Sequence, residues 1–233
     1  MQALHAGARA MSENVASLSV GARRPSLQWD QEEAPMSHAR TALLVIDVQE
    51  SFRHRPYFDD TELAAYLDAQ NALIAGCAER AIPIVRVLHV EASGPFALAS
   101  GWVRPMAGLA DFSAALTVHK ERHSAFAGTA LGAWLAERDL GRVIVSGIRT
   151  EQCCETTTRA GSDAGLAIDY VTEATLTFAM RHANGRLYTP AELRERTELV
   201  LASRFATICT VASALARADE AAAVALSTSS AGC

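Results

Sequence analysis

Residues 42–46 read Ala-Leu-Leu-Val-Ile, apolar at every position, and the run then stops on a carboxylate, Asp47. A strand with one wet face alternates apolar and polar residues. One that is apolar throughout must be covered on both faces, which places it inside a parallel sheet between two layers of helix. Comparable runs return at residues 82–89, 116–119, 142–146, 167–171 and 205–208, and segments with helical spacing lie between them. From residue 61 to 80, for example, Leu63, Leu67, Ile74, Cys77 and Ala78 fall on one helical face, which makes Cys77 a core residue. The alternation predicts an α/β fold: a doubly wound, mostly parallel six-stranded sheet with helices on both faces, in three Rossmann-like layers.

Composition narrows the partners. The 233 residues are 50% hydrophobic, with a net charge of −5 and pI near 5.8. Such a chain can bury one full core but offers no basic face for phosphates, so we expect a small-molecule substrate and no nucleic acid. No apolar run reaches the length of a membrane span, so no membrane partner is expected. Five cysteines at 77, 153, 154, 209 and 233 show no C-x-x-C spacing. That pattern indicates neither a disulfide framework nor a structural zinc site, and suits a reducing, cytoplasmic compartment. Residues 1–38 lack any period and are expected to be a disordered leader, with Met36 an alternative start. Residues 39–218 form a single domain, and the small-residue stretch 219–233 is expected to be a flexible tail.

Three places carry chemistry. Asp47 ends a strand at the sheet edge where open α/β folds bind ligands. Lys120 ends another, and it is the only lysine among 21 basic side chains, a position where a compact ammonium serves and a guanidinium fork would not. The stretch 147–159 (GIRTEQCCETTTR) follows the strand 142–146 and sets two adjacent cysteines at a helix start, where the backbone dipole would lower a thiol pKa. A free cysteine taken alone is most often a small buried hydrophobe, so the pair gains its meaning from Asp47 and Lys120. His89 with Glu91 is two ligands short of a zinc set, and we read His89 as a satisfied histidine; no metal and no cofactor are expected. Long loops at residues 90–111 and 173–188 could wall a pocket or meet a second subunit, and Thr189-Pro190-Ala191-Glu192 is a capping box opening a helix.

The segments Leu44-Val45-Ile46-Asp47-Val48-Gln49 with Phe52, Lys120 with Ser124-Ala125-Phe126 and Thr129, and Gly147 through Cys153 together resemble the isochorismatase-like cysteine hydrolase family, which includes nicotinamidase and N-carbamoylsarcosine amidohydrolase. The resemblance covers roughly residues 40–210. It implies a catalytic triad of Asp47, Lys120 and Cys153, with Cys154 a packed neighbour. It also implies a cis peptide between Ile148 and Arg149 and an oxyanion hole from the backbone N–H groups of Arg149 and Cys153; a homo-oligomer, dimer or tetramer, is expected. The expected reaction is hydrolysis of an amide, carbamoyl or ureido C–N bond through a thioester. Alternatives are vinyl ether hydrolysis as in isochorismatase, a non-catalytic oligomeric scaffold, and redox sensing by the cysteine pair. Gln49, Phe52, Trp102 and Arg149 are the expected substrate contacts. This chain departs from the family in two ways: Val87-Leu88-His89 stands where nicotinamidases carry their D-x-H metal motif, and Arg149 stands where a small residue is usual. The Arg149 guanidinium is therefore expected to pair with a substrate carboxylate or to point into solvent.

Overall fold

The computed structural model describes residues 40–230, so the expected leader lies outside the described residues. In chain order the elements are β1 (Thr41–Ile46), α1 (Leu63–Glu79), β2 (Ile84–His89), β3 (Leu116–Lys120), α2 (Leu131–Ala136), β4 (Arg142–Ile148), α3 (Glu155–Asp163), β5 (Ala167–Leu176), β6 (Met180–Arg181), β7 (Leu187–Tyr188), α4 (Pro190–Leu201), β8 (Thr207–Cys209) and α5 (Val211–Ser230). Six strands form one sheet in the order β3-β2-β1-β4-β5-β8, every pair parallel.

The apolar runs are double-faced, as their composition requires. Leu43 and Val45 of β1 and Ile144 of β4 pack into a core with Leu63, Tyr66, Leu73 and Ile74 of α1 and Ala214 of α5. Ala42, Leu44 and Ile46, with Val143 and Val145, pack into the opposite core with Leu131, Trp134 and Leu135 of α2 and Leu201 of α4. Each buried Leu or Ile contributes about 1.5–3 kcal/mol of transfer free energy, so β1 is anchored from both sides.

The strand order reverses between β1 and β4, because the chain winds outward from β1 to β3 and then returns to β1's other side. That crevice is where an open α/β sheet presents its strand ends to a ligand. Ile46 stands level with Gly147, so the residue after β1 and the turn after β4 open into the same crevice. Gly147 makes the approach possible: at φ +128° it has room for no side chain, since a Cβ there would lie 2.0 Å from the Ile46 carbonyl oxygen.

Three boundaries differ from the sequence reading. β5 runs to Leu176 rather than residue 171, across an irregularity in its pairing with β4 between Val145 and Gly147. The small β6–β7 hairpin then occupies part of the expected loop. Regular structure also continues past residue 218, because α5 extends to Ser230. Its alanine-rich composition is the strongest helix former available, and the Arg80–Asp219 ion pair (2.9 Å) ties it to the end of α1. The expected capping box is present: Thr189 accepts from the Glu192 N–H while the Glu192 carboxylate accepts from that of Thr189.

Candidate active site

Asp47 follows β1 in the left-handed region, φ 54°, a conformation that aspartate tolerates better than most residues. Its side chain is wholly buried, and so is that of Lys120; the Lys120 Nζ lies 2.7 Å from Asp47 Oδ2. Beyond this ion pair no N–H group holds either Asp47 oxygen among the described residues, and the Cys153 thiol is the other polar neighbour of the carboxylate. Burial raises the Asp47 pKa, and the neighbouring Lys120 offsets that only in part. A carboxylate held by several N–H groups would be a poor base; this one keeps an enhanced affinity for a proton.

Lys120 Nζ has three further neighbours: the Arg122 carbonyl at 3.1 Å, His89 Nδ1 at 3.2 Å and Cys153 Sγ at 3.4 Å. Burial works against the ammonium, but Asp47 and Cys153 together outweigh it and raise its pKa, so Lys120 stays charged. An ammonium facing Nδ1 requires that nitrogen to be the unprotonated one, which places the ring proton on Nε2, 3.7 Å from the Glu91 carboxylate. Burial, then Lys120, pushes the His89 pKa down to about 4, so the ring is neutral. The satisfied histidine of the sequence reading thus has Lys120 as its partner, a contact that the β2–β3 register creates by setting His89 level with Lys120.

The peptide between Ile148 and Arg149 is cis, as the resemblance implied. The chain then makes a π turn over Thr150–Cys154 before α3 begins at Glu155, so Cys153 sits on this wide turn rather than in the first turn of an α-helix. The turn is fixed from below: the Tyr170 hydroxyl donates to the Thr150 carbonyl (2.9 Å) and Thr150 Oγ1 donates to Thr175 (2.8 Å). The thiol expectation is corrected. Burial and then the adjacent Asp47 push the Cys153 pKa up to about 12, against Lys120, so Cys153 rests as a neutral thiol. Cys154 is fully buried and its pKa is raised well above the ordinary value, chiefly by burial.

Arg149 also departs from expectation. Its guanidinium is buried, 3.0 Å from the Glu151 carboxylate, and lies against the rings of Tyr57 and Phe178. It does not point into solvent, and the carboxylate it meets is the chain's own, two residues on. The Gln49 amide is likewise committed: Nε2 donates to Ser51 Oγ (2.9 Å) and to the His89 carbonyl (3.0 Å), while Oε1 accepts from the His89 N–H (2.8 Å). Gln49 is therefore a clamp on His89. Phe52 is buried against Phe96 and Phe178, and Trp102, half-buried, stacks on His54 at 4.0 Å. The loop carrying Trp102 is pinned over the segment after β1, with the Trp102 carbonyl accepting from the Ser51 N–H and hydroxyl.

Sequence reasoning passed over His123. Its Nδ1 lies 3.9 Å from Cys153 Sγ, and its ring is parallel to that of His89 at 6.5 Å. Only its position beside the Ser124-Ala125-Phe126 segment could have drawn attention to it. Among the described residues no three His, Cys, Asp or Glu side chains cluster closely enough to hold a metal ion, and no helix is long and apolar enough to cross a membrane.

A parallel α/β sheet whose switch point gathers a carboxylate, an ammonium and a thiol is an arrangement suited to a hydrolase. The chain matches the isochorismatase domain over residues 41–213 and belongs to the isochorismatase family. It is 26% identical over 180 residues to the uncharacterized isochorismatase family protein YrdC of Bacillus subtilis (strain 168), covering 73% of this chain and 92% of that protein. Among solved structures it is similar to a cysteine hydrolase from Pseudomonas syringae pv. phaseolicola 1448A, with a TM-score of 0.69 at 21% identity over 79% of this chain and 94% of the other. An isochorismatase from Pseudomonas putida KT2440 gives a TM-score of 0.66 at 23% identity, covering 76% and 90%.

Proposed function

We propose that this isochorismatase-family hydrolase cleaves a C–N bond of a small amide, carbamoyl or ureido compound through a thioester on Cys153. The observation that carries the reading is the buried contact set of Asp47, Lys120 and Cys153, in which the thiol is neutral, the carboxylate has a raised proton affinity and the ammonium lies 3.4 Å from Sγ. Asp47 takes the thiol proton as Sγ attacks the carbonyl carbon. Lys120 balances the negative charge of the pair, and the backbone N–H groups of Arg149 and Cys153 receive the oxyanion. Collapse of the tetrahedral adduct breaks the C–N bond, and the proton on Asp47 leaves with the nitrogen. Water then releases the acyl group. Vinyl ether hydrolysis has no use for the thiol, and a scaffold has no use for a buried, charged pair beside it.

Ammonia release measured across a panel of amides, carbamoyl and ureido compounds tests this reading. Turnover of at least one compound is expected in wild type and in Cys154→Ala and its loss in Cys153→Ala. Activity that survives Cys153→Ala but not Cys154→Ala would overturn the assignment, and a wild type inert toward every C–N substrate would favour the scaffold.

A further inference from the structure

The triad accounts for acylation more readily than for deacylation. Asp47 and Lys120 have no exposed surface and are locked to each other at 2.7 Å, whereas the water that cleaves the thioester must come from the open side of Cys153. The polar group on that side is His123, an exposed residue whose Nδ1 is 3.9 Å from Sγ. Its exposure does not leave it adrift. The carbonyl of Arg122, just before it, accepts from Lys120 Nζ at 3.1 Å, and the N–H of Ala125, just after it, donates to the buried Thr157 hydroxyl of α3 at 3.0 Å. The backbone around His123 is thus tied to the catalytic lysine on one side and to the helix behind Cys153 on the other.

We propose that His123 is the general base and acid of deacylation, a catalytic residue beyond the triad. The role rests on the thioester reading above. As the water oxygen bonds the acyl carbon, one water proton passes to Nδ1. When the adduct collapses, the C–S bond breaks, its electron pair stays on sulfur, and the Nδ1 proton moves to Sγ. Cys153 is a thiol again, the product leaves as the carboxylic or carbamic acid, and no proton is gained or lost. Asp47 serves the first half-reaction and His123 the second. Titratable neighbours of the imidazole are Cys153, the parallel ring of His89 and, by its charge, Asp47.

p-Nitrophenyl acetate separates the two halves without knowledge of the natural substrate, since nitrophenol release reports acylation and sustained turnover reports deacylation. Wild type is expected to turn over continuously. His123→Ala, at an exposed position that leaves the core intact, is expected to release one equivalent at close to the wild-type rate and then to slow by on the order of 10²-fold, the usual scale of one acid–base group. Protein quenched in that slow phase should carry an acetyl group on Cys153, and added imidazole should restore part of the rate. His123→Gln, which hydrogen-bonds but cannot shuttle a proton, should behave like His123→Ala. Sustained turnover within about threefold of wild type in both variants, or a loss of acylation equal to the loss of turnover, would overturn the role. Nitrophenol release that is unchanged in Cys153→Ala would instead remove the thioester reading, and this role with it.

Discussion

The Asp47–Lys120 pair makes a demanding prediction, because neither side chain reaches solvent and each is the other's ion-pair partner. At 2.7 Å two unit charges attract by about 6 kcal/mol at an effective dielectric of 20. Burial of each charge offsets much of that, so the net worth of the pair is small, but removing one partner strands the other. Asp47→Asn, nearly isosteric, and Lys120→Met should each cost about 3–5 kcal/mol of unfolding free energy. For a chain of this size that is a fall of roughly 6–20 °C in Tm. The double variant has no stranded charge and should recover at least about 2 kcal/mol relative to the sum of the singles. Urea unfolding of all four proteins, with fixed m-values, measures the coupling directly. Single variants within about 1 kcal/mol of wild type, the scale of an exposed ion pair, would refute the claim that this pair is desolvated.

Further outcomes follow from the same geometry. The folded-state pKa of His89 is lowered to about 4 from an ordinary value near 6.5, so unfolding takes up a proton between them. Its contribution is complete above the higher value and lost as pH falls through the lower one, up to about 3 kcal/mol, and His89→Gln should flatten the stability–pH curve over that window. Iodoacetamide should alkylate Cys153 slowly near neutral pH and faster toward pH 11, with Cys77, Cys154 and Cys209 protected until unfolding, as followed by peptide mass. Gly147→Ala drives a Cβ into the Ile46 carbonyl at positive φ and should cost on the order of 3 kcal/mol in a thermal melt, with loss of activity. Arg149→Met strands the buried Glu151 and should destabilise by about 3–5 kcal/mol, seen in the same melt.

What the sequence revealed and what it hid divide along one physical line. Features that depend on a residue's own burial or on its near neighbours were legible. The double-faced run at residues 42–46, the capping box at Thr189 and Glu192, and Lys120 as the only lysine each announced their place. Contacts made by strand register were not. His89 meets Lys120 only because β2 and β3 align them, and no spacing along the chain encodes that. The raised thiol pKa was hidden for a related reason: a helix start argues for a thiolate, and burial beside a carboxylate, which outweighs it, appears only in three dimensions. The ion pair of Arg149 was hidden because Glu151 lies two residues away, a separation that faces opposite sides of a regular α-helix, whereas here the chain makes a π turn. The helix across residues 219–230 was readable in its alanine content and was missed by reading small residues as mobile ones.

If Asp47, Lys120 and Cys153 act as proposed, the acyl group passes through sulfur on Cys153. Rapid quenching of wild-type protein during turnover of a C–N substrate, followed by intact and peptide mass measurement, tests it most directly. The peptide carrying Cys153 is expected to gain an acyl mass, formed while ammonia or amine is released and absent in Cys153→Ala. Steady turnover that leaves this peptide unmodified at every time, and that continues in Cys153→Ala, would contradict it.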